Sequence, residues 1–277
     1  MANDTKPTTE EETSALLELA GNELAGWSDP VARLRQALDQ DELRLFCQPI
    51  VALRPGEPYL MAEILVRLLE EEVAHLPPGD FLPVFEHFGM MPKLDRWVVA
   101  KACALLARNH TSGFRHLGIN LASQTLRDAA MPNFIARTLE QFTVPPNALC
   151  FEIDERDVLG QPGPATAFAA QVRKLGCRVA IDAFGHRAVS FAPLKALQVD
   201  FLKVDGAITR NLLRGEVAQR KMQAIVRVGE AIGFGVIAEF VEDAEIIERL
   251  RALGVGYAQG FGIARPAPLG DARSVPD

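Results

Sequence analysis

Short apolar runs recur along the chain: LRLFCQPIV (43–51), YLMAEILVR (59–67), HLGINLA (116–122), LCFEID (149–154), RVAIDAF (178–184), DFLKVD (200–205), GVIAEFV (235–241) and GYAQGFG (256–262). Most are rich in Val, Ile, Leu or Phe, the pattern of strands covered on both faces. Helical spacing fills the intervals: SDPVARLRQAL (28–38), DRWVVAKACALLARN (95–109), PNFIARTLEQF (132–142), ATAFAAQVRKLG (165–176), RKMQAIVRVGEAIG (220–233) and DAEIIERLRALG (243–254). Ser28 or Asp29 can cap the first of these, and Pro30 suits its first turn. Gly176, Gly233 and Gly254 stand where helices should close. Eight strands alternating with helices predict an α/β fold with a parallel sheet closed into a TIM-like barrel, with an open doubly wound sheet as the alternative. No GxGxxG follows the early strands, which weighs against a dinucleotide-binding version of the open sheet. The expected organisation is a tail over 1–30, one barrel domain over 31–268 and a second tail over 269–277. Within the first tail, SALLELAGNELAGW (14–27) is amphipathic enough for a short helix.

Composition narrows the picture. With 277 residues, 48% of them hydrophobic, the chain can bury one large core. No apolar run approaches a membrane span and no signal peptide opens the chain, so a cytoplasmic protein is expected. The opening MANDTKPTTEEETS is polar and acidic and reads as a disordered tail. A net charge of −7 argues against a protein that coats a nucleic-acid polymer. An anionic ligand would instead need local cations or metal ions. Cys47, Cys103, Cys150 and Cys177 lie in apolar runs without a CxxC pair, as buried thiols in a reducing compartment do. His75, His87, His110, His116 and His186 are scattered without ligand spacing.

The chemistry gathers at strand ends. Glu63, Asn120, Glu152, Asp182, Lys203, Glu239 and Gln259 each sit at or near the C-terminal end of a different apolar run. In a barrel those ends converge on one face. Any one of them could be a helix cap or turn residue, and Glu63 a core carboxylate paired with an arginine. Seven in register on seven strands are hard to explain by capping. Carboxylates crowded at one mouth repel one another and shift each other's pKa, and a divalent cation resolves that repulsion. Oxygen donors without a His or Cys cluster favour Mg²⁺, Mn²⁺ or Ca²⁺ over zinc. Lys203 is open to two readings, a Schiff-base amine or a cation beside a metal-bound water or phosphate; surrounding carboxylates keep it protonated and disfavour the first.

The ordered motifs resemble those of the EAL domain family, whose members bind cyclic di-GMP and, when active, hydrolyse it to linear pGpG. AEILVR (62–67) is similar to the E-A-L-x-R signature, with Ile64 for the usual Ala. INLA (119–122), FEIDE (151–155) and LKVD (202–205) are similar to the N-L-S, E-I-T-E and L-K-I-D segments. IAEFVE (237–242) resembles A-E-G-V-E, and YAQGFGIARPAP (257–268) resembles Y-A-Q-G-Y-x-x-x-R-P; FCQPIV (46–51) and FLPVFE (81–86) fit as well. The resemblance implies a TIM-like (β/α)8 barrel whose first strand is antiparallel to the rest. It implies that Glu63, Asn120, Glu152 and Asp182 hold Mg²⁺ or Mn²⁺, at one site rather than two. Lys203, Glu239 and Gln259 would serve catalysis, with Glu239 the general-base candidate. Gln48, Leu65, Arg67, Asp205, Glu242, Arg265 and Pro266 would contact the nucleotide, Arg67 at a phosphate. Glu155 would anchor the loop after the Asp182 strand, and a homodimer or a protein partner would carry the output.

One segment departs from the family pattern. Where that pattern reads D-D-F-G-T-G-Y-S-S-L, this chain reads DAFGHRAVSF (182–191). Asp182 retains the first aspartate; Ala183 replaces the second, which helps hold the other ion of a two-metal site; His186 and Arg187 replace the Thr-Gly pair. Losing a ligand to one ion raises the barrier to in-line displacement while ground-state binding rests on other groups. His186 or Glu155 could act as a substitute ligand, and Arg187 could supply part of the lost charge. The expected function is therefore a cyclic di-GMP receptor with weak or no hydrolysis. An active metal-dependent phosphodiesterase is the first alternative, and an interaction scaffold without the nucleotide the second.

Overall fold

The structure, a computed structural model, describes residues 29–54, 61–70, 74–111, 113–186, 189–195 and 197–270. The segment 14–27, the start of the run read at 59–67, and Arg187 lie outside the described residues. The strands are β1 (Leu43–Ala52), β2 (Met61–Glu70), β3 (Ala74–Leu76), β4 (His116–Leu121), β5 (Leu149–Asp154), β6 (Arg178–Phe184), β7 (Phe201–Val204), β8 (Gly235–Ala238), β9 (Tyr257–Ala258) and β10 (Ala267–Pro268). The helices are α1 (Pro30–Asp39), α2 (Pro78–His87), α3 (Met91–Ala107), α4 (Ser123–Leu126), α5 (Met131–Phe142), α6 (Glu155–Gly160), α7 (Pro162–Leu175), α8 (Gly206–Arg210), α9 (Glu216–Ile232) and α10 (Ala244–Ala252).

The sheet closes on itself. β2, β4, β5, β6, β7, β8 and β9 pair in that order, all parallel, and β1 joins β9 to β2 with antiparallel register on both sides. Gln48 on β1 thus faces Glu63 on β2. β3 and β10 extend the sheet from β2 and β1. The expected barrel with an antiparallel first strand is the fold observed.

Helix ends follow the local chemistry. Asp29 caps α1, its carboxylate accepting from the Ala32 amide at 2.9 Å. α7 and α9 end on Gly176 and Gly233, both at positive φ. α2 was not among the helices read from periodicity. Pro77, Pro78 and an internal Pro83 mask it, yet Phe81, Val84 and Phe85 bury one face and outweigh the proline penalty.

Two layers of core result. The larger fills the space between barrel and helices; the smaller, inside the barrel, comprises Ile50, Met61, Cys150, Ala180, Phe201 and Ile237, with Tyr257 packed against it. Side chains on a strand alternate with period two. Each member of the inner layer therefore presents, two residues further toward the barrel mouth, a second inward side chain. Met61 leads to Glu63, Cys150 to Glu152, Ala180 to Asp182, Phe201 to Lys203, Ile237 to Glu239 and Tyr257 to Gln259. On antiparallel β1 the direction reverses, and Ile50 leads back to Gln48. An apolar floor and a polar tier above it are thus one consequence of strand geometry.

Candidate functional site

Lys203 is the centre of the polar tier. It is fully buried, and its Nζ lies 2.8 Å from Glu63 Oε2, 2.6 Å from Glu152 Oε2, 3.2 Å from Glu239 Oε1 and 3.3 Å from Asp182 Oδ1. Glu63 is the best satisfied of the four. Asn120 Nδ2 donates to its Oε1 at 2.6 Å, and Gln259 Nε2 donates to its Oε2 at 2.7 Å. Gln259 also donates to Gln48 Oε1 at 3.3 Å, and Gln48 Nε2 donates to the Ala264 carbonyl at 2.9 Å.

One ammonium cannot neutralise four carboxylates. Burial alone would raise Glu63, but Lys203 and the hydrogen bonds from Gln259 and Asn120 hold it below the usual carboxylate range. Burial dominates at Glu152, lifting it well above that range, aided by repulsion from Glu63 and Asp182 and opposed by Lys203. Burial likewise pushes Glu239 up to about 8. Burial disfavours the Lys203 charge, and the four carboxylates more than reverse it, so the amine stays protonated. That environment does not suit a Schiff-base amine.

The donors are hard oxygens, as Mg²⁺ and Mn²⁺ require. Glu152 Oε1 and Asp182 Oδ1 are buried without a hydrogen-bond partner, which is acceptor capacity left for a cation. The residues therefore fit an ion in chemistry. In the arrangement present they converge on Lys203, and among the described residues no three carboxylate, His or Cys groups converge on a common cation position.

A bulge aims Asp182. Ile181 pairs with Leu202 and Phe184 with Val204, so β6 spends one residue more than β7 across this interval. Ala183 sits in the bulge at φ 52°, a left-handed conformation unfavourable for alanine. Glu155 holds the following turn, both carboxylate oxygens lying 3.1 Å from the Gly185 amide. His186 Nδ1 is engaged with Asp205 Oδ2 at 2.9 Å. Glu155 is thus committed to the turn, whereas His186 is held by Nδ1 and keeps Nε2 for another partner. They line, with Asp154, Arg156, Leu159 and Ala183, a side cleft of about 630 Å³.

The mouth itself is a cleft of about 480 Å³, lined among others by Gln48, Glu63, Leu65, Asp182, Ala183, Asp205, Glu239, Glu242 and Gln259. Arg67 and Pro266 are not in its lining; the Arg67 guanidinium bonds the Val66 carbonyl at 2.9 Å and lies 5.4 Å from the Phe46 ring centre. Arg265 stands at the rim, 4.8 Å from the ring centre of Phe261, which does line the cleft.

Sequence reasoning missed Arg210, Phe240 and Phe261 in this lining. Phe240 is 52% exposed, at φ 55°, with Arg210 stacked 4.7 Å from its ring centre. The signal was present, because Phe240 occupies the place of Gly in A-E-G-V-E. Gly206 leaves room for the ring, since a Cβ there would lie 2.3 Å from it.

The chain is 35% identical over 238 residues to the cyclic di-GMP phosphodiesterase PdeB of Shewanella oneidensis, a match covering 86% of this chain and 28% of that protein. The chain spans well under two thirds of the length of such curated relatives. Among solved structures, the FimX EAL domain from Pseudomonas aeruginosa bound to c-di-GMP superposes with a TM-score of 0.82 at 30% identity, covering 88% of this chain and 98% of that one. The PaMucR phosphodiesterase in its c-di-GMP complex gives 0.78 at 28% identity, over 86% of this chain and 97% of that one. Among the described residues no helix is long and apolar enough to cross a membrane. The profile of the EAL domain matches residues 31–266, and the chain belongs to the EAL domain family.

Proposed function

We propose that the barrel mouth binds cyclic di-GMP and that this chain acts as a receptor for it, with weak or no hydrolysis. Position 183 carries the reading. The family pattern has an aspartate there, this chain has alanine, and Glu155 is engaged with the Gly185 amide. The rim suits the ligand. Phe240 and Phe261 offer two aromatic faces, each with an arginine stacked on it, for a molecule with two planar bases and two phosphates.

The phosphodiesterases of the family depend on divalent metal ions. Here Glu63, Asn120, Glu152 and Asp182 would hold Mg²⁺ or Mn²⁺, one ion rather than two. Such an ion supplies charge neutralisation at a phosphate and acidifies a water. Lys203 would orient the phosphate or water, and Glu239, more basic than an ordinary carboxylate, would take the water's proton. Gln259 and Gln48, hydrogen-bonded to each other, tie this set to the wall of the cleft. A second reading, an active phosphodiesterase yielding pGpG, draws on the completeness of this cluster. Its convergence on one point is also what a pure interaction scaffold would not need.

The test is to incubate the purified protein with cyclic di-GMP and excess Mg²⁺ or Mn²⁺ and to identify the bound nucleotide by mass. Intact cyclic di-GMP supports the receptor; pGpG formed only with metal supports the enzyme; no bound nucleotide overturns both in favour of the scaffold. As a receptor of this ligand the protein would work in the cytoplasm, passing the signal to a second copy or another protein.

A further inference from the structure

The inner layer has one missing side chain. Gly118 on β4 stands two residues before Asn120, in register with Cys150 on β5, where the other strands place a floor residue. Glu152 fills the gap. A Cβ built on Gly118 would lie 2.0 Å from Glu152 Oε1 and 3.1 Å from its Cδ, so the carboxylate has tipped down into the hollow that the glycine leaves. There Oε1 is buried without a hydrogen-bond partner while Oε2 bonds Lys203 at 2.6 Å. The position suits a counterion of Lys203. It also turns one oxygen of Glu152 away from Asn120 and the mouth.

Resting on the metal assignment above, we propose that Gly118 is a positioning residue: its hollow gives Glu152 a resting place off the ion site and thereby weakens metal binding. The protein must draw Glu152 out of the hollow before the carboxylate can serve as a ligand. Apparent affinity is the intrinsic affinity multiplied by the fraction of molecules in which it is already out. The obstructing atom is the far end of a flexible side chain, so Gly118→Ala displaces the carboxylate rather than the backbone.

The experiment is a cycle of Gly118→Ala and Glu152→Ala, read by thermal melting without metal and by titration of free Mn²⁺ in electron spin resonance. In the metal-free protein, Gly118→Ala lowers the melting temperature by about 2–4 °C when Glu152 is present, and not in the Glu152→Ala background. Mn²⁺ binds Gly118→Ala on the order of tenfold more tightly than the parent, and this gain vanishes without Glu152. Equal melting effects in both backgrounds would overturn the occupied hollow whatever the metal does. Coupled melting with unchanged or weaker Mn²⁺ affinity overturns the gating role. If neither the parent nor Gly118→Ala takes up Mn²⁺ while the melting remains coupled, the metal assignment itself has failed and the gating role goes with it.

Discussion

Lys203 on β7 and Glu63 on β2 meet across the barrel interior, Nζ 2.8 Å from Oε2, and both are buried. The ammonium of Lys203 is shared with Glu152, Asp182 and Glu239. Removing it leaves carboxylates without a counterion. Lys203→Met should cost roughly 3–5 kcal/mol at neutral pH, the scale for breaking a buried ion pair. Mn²⁺ should then raise the melting temperature of the variant more than that of the parent. A variant as stable as the parent and indifferent to Mn²⁺ would show that the cluster tolerates its charge by other means.

Position 183 makes two demands of opposite character. Its left-handed backbone costs an L-residue roughly 1–2 kcal/mol, partly offset for glycine by a more flexible unfolded chain. Ala183→Gly is therefore expected to gain about 0.5–1 kcal/mol in urea melts. Aspartate tolerates this backbone better than alanine does. Ala183→Asp should keep the fold and raise pGpG formation at least about tenfold, the effect of about 1.4 kcal/mol at the barrier. An inert, well-folded Ala183→Asp would place the defect in the rewritten loop.

At the rim, Phe240→Ala removes an exposed ring from the mouth. If it stacks on a base, affinity for cyclic di-GMP falls about tenfold to a hundredfold, with the melting curve of the free protein nearly unchanged. Arg67 offers a contrast. Its guanidinium is half-buried against Phe46 and outside the cleft lining. Arg67→Ala tests the phosphate contact: a loss of about tenfold in affinity is expected from a charge-assisted bond, and unchanged affinity in a folded variant would remove it from the nucleotide site.

Asp95 on α3 sets a pH dependence outside the cluster. Its carboxylate accepts from the Ala122 amide at 3.1 Å and from the Thr125 hydroxyl, clamping the turn that follows Asn120. Burial pushes its pKa up to about 6 from 3.8, against those hydrogen bonds and Arg96. The folded state thus holds the proton more tightly than the unfolded chain does. The contribution is complete below pH 4 and is lost as pH rises through about 6, up to roughly 3 kcal/mol in all. Asp95→Asn should flatten this slope between pH 4 and 6 in urea melts at stepped pH. Parallel curves for parent and variant would refute it.

The barrel was legible because apolar runs of strand length alternate with helical spacing, and the polar tier because a polar residue stands near the C-terminal end of seven of those runs. The ends were not. The run 235–241 was read as one strand, yet β8 stops at Ala238, where the chain turns through Phe240 at positive φ. The run 256–262 yields only Tyr257–Ala258 as strand. Beyond it the backbone crosses that of Val241 so closely that a Cβ on Gly260 would lie 2.1 Å from the Val241 carbonyl oxygen. Such a crossing depends on a partner segment some twenty residues away, which no local pattern encodes. The direction of β1 came from the family resemblance alone; alternation of side chains is the same for either direction. Arg210 escaped notice because it closes a five-residue helix too short to show a period, and Phe261 because it lies beyond the end of β9.

The burial of Lys203 also makes it an internal clock. A primary amine reacts with acylating reagents only when it is deprotonated and reachable, and this one is held protonated and sealed beneath the mouth. Native protein treated with such a reagent should be labelled first at its exposed lysines. The slow appearance of label on Lys203 then times the openings of the barrel itself.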